Sequence, residues 1–101
     1  MKTINYKYSY VEVKNGKEII REDSFQRKEY YQVGRAENLT EAVLNSYGWA
    51  IGKKNLAVTS YADRYNCNKN DIEIKFNESK IRIEIYKNGE LVEFIKFEEI
   101  Q

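Results

Sequence analysis

The chain has 101 residues, a mass of 12.0 kDa and a single Cys, which leaves room for one hydrophobic core and one domain, residues 1–101. A hydrophobic share of 42% excludes a disordered tail, and 17 basic against 16 acidic side chains fit neither a polybasic nucleic-acid arm nor a polyacidic DNA mimic. No apolar run reaches membrane-spanning length and residues 1–6 carry no signal-peptide core, so the chain is expected to be soluble and cytoplasmic.

Residues 3–13 alternate, with Ile4, Tyr6, Tyr8 and Tyr10 on one face and Asn5, Lys7 and Ser9 on the other. Val11 and Val13 have the second parity, so this strand either buries both faces near its end or carries a bulge. Asn15-Gly16 then predicts a two-residue hairpin, because both residues tolerate positive φ. The return strand starts at Glu18-Ile19-Ile20. The polar stretch from Arg21 to Glu29 fits an exposed strand or a loop, and Tyr30, Tyr31 and Val33 read as ordered before Gly34.

A helix is predicted within residues 38–52. Asn38 and Glu41 make a capping-box-like start, and Leu39, Val43, Tyr47 and Ala50 keep helical spacing. Gly52 followed by Lys53 and Lys54 suits its C-terminus, with a break at Gly48 as the alternative. Leu56–Ala62 reads as a strand and Asp63–Asp71 as a loop. A meander follows: Ile72, Ile74 and Phe76 share one parity, as do Ile81, Ile83 and Ile85. If the turn at Asn88-Gly89 has two residues, Ile85 faces Val92 and Ile83 faces Phe94, while Lys75, Arg82, Glu84 and Glu93 take the solvated face. The fold class is therefore α+β: a mainly antiparallel sheet, built of an N-terminal hairpin and a C-terminal three-stranded meander, with one helix packed on it.

No catalytic, cofactor or metal residue stands out. Without His, every Ser-His, Cys-His and His-ligated metal arrangement is excluded, and Cys67 reads as an ordinary reduced thiol. The loop from Asn66 echoes a calcium loop but has Asp71 where Gly is needed and Asn77 in place of the bidentate Glu. Gly48 to Lys54 is one residue short of a phosphate loop and lacks the following Ser or Thr. The chain is thus expected to bind rather than to catalyse.

Tyrosine is in surplus, with nine residues beside one Trp. Each buried phenol needs a partner for its hydroxyl, so an exposed aromatic ridge is one outcome; packing on the sheet with hydroxyls at the rim is the other. The partner-facing patch is expected at the first hairpin and its neighbours: Tyr6, Tyr8, Tyr10, Arg21, Tyr30 and Tyr31. Trp49 has a similar double reading, exposed contact or core, and its helical spacing favours core. The interleaved cations and aromatics around Tyr6-Lys7-Tyr8 also fit a single-stranded nucleic-acid platform, and an oligomerising subunit joined through an edge strand is a third reading.

Ile, Lys, Asn, Tyr and Phe, all with AT-rich codons, fill 46 of 101 positions. With that bias, its size and its hairpin–helix–meander plan, the chain resembles the small inhibitors encoded by phages and plasmids, of which anti-CRISPR proteins are the best-known group. The resemblance implies a protein of the bacterial cytoplasm that docks stoichiometrically on a CRISPR nuclease effector and blocks DNA binding or cleavage. That group shares no common motif, so the likeness assigns no site residue.

Overall fold

The computed structural model describes residues 1–21 and 27–101. It is an α+β fold in which six strands form one sheet and two helices lie on one of its faces. The strands are β1 (Lys2–Lys14), β2 (Lys17–Arg21), β3 (Tyr30–Ala36), β4 (Ile72–Asn77), β5 (Arg82–Lys87) and β6 (Glu90–Glu99); the helices are α1 (Leu39–Tyr47) and α2 (Leu56–Arg64). The sheet order is β2-β1-β6-β5-β4 and every pairing is antiparallel. β1 is long enough for two neighbours to share one edge: β2 pairs with residues 10–14 and β3 with residues 2–8. The polar stretch after Arg21 lies largely outside the described residues.

Both Asn-Gly turns are two-residue hairpins. Asn15 and Gly16 have φ of 53° and 74°, and Asn88 and Gly89 have 52° and 81°, the mirror-image turn that matches strand twist. β1 runs without a bulge and buries both faces along its length instead of near its end: Ile4 and Tyr6, near its start, lie under the helices, and Ser9 and Val11 lie on the far face.

Three expectations need correction. The segment Leu56–Ala62 is helical. Asn55 caps it, its side chain accepting from the Val58 N–H at 3.1 Å, and Val58 and Ala62 at i, i+4 both turn into the core. Its Leu56, Val58 and Ala62 also share a strand's two-residue parity, but Leu56 is 81% exposed. The sheet therefore carries two helices instead of one. α1 begins at the Asn38 cap, whose side chain accepts from Glu41 N–H at 2.9 Å, but it stops at Tyr47; Gly48–Ala50 form a 3₁₀ turn, so the break falls at Gly48. The β5–β6 register also differs: Tyr86 opposes Leu91 and Ile85 opposes Glu93, with Val92 as the extra residue. That bulge flips every later side chain of β6. Ile95 and Phe97 join the core beneath the helices, Phe94 goes to the helix-free face, and Glu93 is carried to the helix side and fully buried.

The helix-free face is not simply solvated. Phe94 is 2% exposed, opposite Val11 and under the Arg82 guanidinium, which lies 4.1 Å from its ring centroid. Glu84 is buried there too, accepting from Arg82 Nε, Tyr86 Oη and Asn77 Nδ2. Burial opposes its charge, but these donors outweigh burial and hold its carboxyl below the usual carboxylate value.

Among the described residues, the Tyr6 hydroxyl is buried with no hydrogen-bond partner. Its desolvation costs about 1–3 kcal/mol, so Tyr6→Phe is expected to unfold at higher denaturant concentration than the parent chain. An unchanged or lower midpoint would show that the hydroxyl is satisfied in solution.

Candidate functional site at the aromatic end of the sheet

Even-numbered residues of β1 face the helices, and this parity sets Tyr8 and Tyr10 at the centre of a ring cluster completed from β3, α1 and β6. Tyr8 stacks on Tyr30 at 5.2 Å between centroids and 14° between planes, and meets Tyr10, Tyr47 and Phe97 at 5.7–6.1 Å. Tyr10 meets Tyr30 edge-on at 5.8 Å. Such offset and edge-to-face pairs add about 0.5–1.5 kcal/mol each beyond their area. Burial, reinforced by Tyr8, pushes the Tyr47 phenol well above its ordinary value, so it remains a neutral donor.

At the outer end of the cluster the Arg21 guanidinium lies over the Tyr10 ring, 4.6 Å from its centroid. The same side chain donates from Nη1 to both oxygens of Glu93 at 3.2 Å. Glu93 also accepts from Tyr65 Oη at 2.8 Å, and Arg64 Nε lies 3.4 Å away. Arg64 reaches a second carboxylate, Glu12, with Nη2 at 2.6 Å, and Lys14 Nζ is 3.1 Å from the other Glu12 oxygen. Glu12 and Glu93 sit directly opposite each other on β1 and β6, a pairing that would repel without Arg64 between them. Burial acts against the charge of Glu12, yet Lys14 and Arg64 together hold its carboxyl below the usual range. Burial and the Glu93 charge push the Tyr61 and Tyr65 phenols well above theirs.

Above this network runs an open groove of about 380 Å³, walled by Tyr10, Ala57 and Tyr61, with Arg21 and Arg64 at its polar edge. Trp49 stands on its rim and is 64% exposed. The reason is the break at Gly48: on the 3₁₀ turn Trp49 leaves the helical spacing that would have buried it.

The structure gathers Tyr8, Tyr10, Tyr30 and Arg21 into one surface. It does not bring Tyr6 or Tyr31 there. Tyr6 lies beneath α1 with no exposed surface and cannot face a partner; it shares the parity of Tyr8 and Tyr10 but sits where the helix covers the sheet. Tyr31, opposite Lys7, has the other parity and is 68% exposed on the helix-free side. Sequence reasoning missed Arg64 and Glu93, and for Trp49 it favoured the core over the surface. Only the Gly48 break offered a signal, for Trp49.

Comparisons with protein families, curated proteins and solved structures found no match to this chain. Among the described residues no helix is long and apolar enough to cross a membrane.

Proposed function

We propose that this chain is a non-enzymatic protein-binding domain of the bacterial cytoplasm, a mobile-element inhibitor that docks on a CRISPR nuclease effector through the Trp49–Tyr10–Arg21 surface. The observation that carries the docking surface is the exposed Trp49 beside an aromatic groove edged by two guanidiniums. Trp, Tyr and Arg around a pocket are the residues that dominate protein interfaces. The groove's charge favours a protein over a nucleic acid. Arg21 and Arg64 already face Glu93 and Glu12, so a phosphate backbone would have to compete with buried carboxylates for both. The choice of effector rests on the chain's size, its AT-rich residue usage and its hairpin–helix–meander plan.

The test is target-DNA cleavage by a panel of CRISPR nuclease effectors titrated with the protein. Inhibition is expected to be complete near one equivalent. Trp49→Ala should weaken it by about 2 kcal/mol, roughly thirtyfold in apparent affinity, with the melting temperature little changed. Inhibition indifferent to Trp49→Ala would overturn the assigned surface. No inhibition, together with salt-sensitive binding of a single-stranded oligonucleotide, would overturn the inhibitor reading in favour of a nucleic-acid platform.

A further inference from the structure

Among the described residues one sheet edge stands unpaired, and its residues complement themselves. Successive residues of a strand aim their backbone groups to opposite sides. The Asn5 carbonyl accepts from Ile100 N–H at 2.8 Å, toward β6, so the even residues of β1 serve β3. Tyr30, Gln32, Gly34 and Ala36 thus spend their backbone groups on β1, and Tyr31, Val33 and Arg35 aim theirs outward. Among the described residues β1 is the only strand paired with β3, and no other backbone hydrogen bond reaches these three residues.

The other edges are defended. β4 is bridged by Gly52, which exchanges two hydrogen bonds with Ile74 at 2.8 and 3.3 Å. β2 has five residues, and by the same alternation only Glu18 and Ile20 aim outward. β3 has no Pro and no Lys, its one charge is Arg35, and its outward residues Tyr31 and Val33 are 68% and 62% exposed.

We propose that β3 pairs antiparallel with β3 of a second copy of this chain, about a two-fold axis at Gln32. In this register Tyr31 of each copy opposes Val33 of the other, an aromatic–β-branched pair of the kind that stabilises sheets. Glu29 opposes Arg35, and the two-fold axis makes that ion pair twice. Tyr31 and Val33 are both outward-aimed, so each Tyr31–Val33 pair can exchange two backbone hydrogen bonds, while Glu29, just before β3, contributes its side chain. A shift by two residues either way loses the match: centred on Val33 it sets Glu29 against Glu37, and centred on Tyr31 it sets Glu29 against Val33. Among the described residues Glu29 meets Lys7 and Tyr31, at 3.6 and 3.2 Å, and Arg35 meets the Met1 carbonyl at 3.5 Å, all at the surface. The paired sheet would run unbroken from β4 of one copy to β4 of the other and cover Tyr31 and Val33. The Trp49 groove lies on the helix side, so the pairing stands apart from the inhibitor reading.

Sedimentation equilibrium of the full chain decides it. The expected mass is twice 12.0 kDa at high concentration. Val33→Pro removes an outward N–H that the monomer does not use and should leave a monomer with an unchanged circular dichroism spectrum. Arg35→Glu sets like charges opposite each other twice and should weaken the dimer at least roughly tenfold, and the swap Glu29→Arg with Arg35→Glu should restore it. Should Val33→Pro fail to fold, the charge pair carries the test alone. A monomer at every concentration, a dimer indifferent to Arg35→Glu, or a swap that does not restore it would overturn the proposal.

Discussion

Ile83→Ala is expected to lower stability by about 2–5 kcal/mol, and Ile74→Ala by a similar amount. Both side chains are within 2% of complete burial, and they flank the β4–β5 seam under the helices. A domain of this length has a total stability of about 5–15 kcal/mol, so either change removes a large fraction and the two together should leave no cooperative unfolding transition. Phe94→Ala, buried on the opposite face against Val11 and Arg82, is expected to cost about 3–5 kcal/mol. Urea melts of the three single variants check this. A Phe94→Ala loss under 1 kcal/mol would mean that the helix-free face contributes little.

Glu93→Ala is the second large effect. It strands Arg21, Arg64 and the Tyr65 hydroxyl around an empty carboxylate site. Removing one partner of a buried ion pair costs about 3–5 kcal/mol, and the lower end applies because both guanidiniums reach solvent. The double variant Glu93→Met with Arg21→Met is expected to recover much of the loss, since a buried ion pair is often no better than a packed apolar one. Chemical denaturation of the single and double variants separates the two outcomes. Equal destabilisation by both would show that Arg21 acts by covering Tyr10 instead of by charge.

The hairpins and the core faces of β4 and β5 were legible because the chemistry is local: Asn-Gly permits the turn, and isoleucine at every second position fixes the face. The register of β6 was not. Leu91-Val92-Glu93-Phe94-Ile95 has apolar residues at both parities, so nothing local marks Val92 as the extra residue. α2 was misread because Leu56, Val58 and Ala62 fit a two-residue period, whereas only Val58 and Ala62 share a helical face and Asn55 supplies its cap. The aromatic half of the candidate site was partly legible from β1 parity. Its ionic half was not, because Glu93 meets Arg21 across 72 positions of sequence.

The seam between β1 and β6 joins nearly the first residues of the chain to nearly the last. The meander β4–β6 and the hairpin β1–β2 can each close over short loops, but neither half has its core until that seam forms. Loop-closure entropy is then paid before the reward arrives, which puts this chain among slow-folding topologies, on the order of milliseconds to seconds. Until the seam closes, the inner edges of β1 and β6 both stand open, so the nascent or refolding chain is at its most adhesive late in folding.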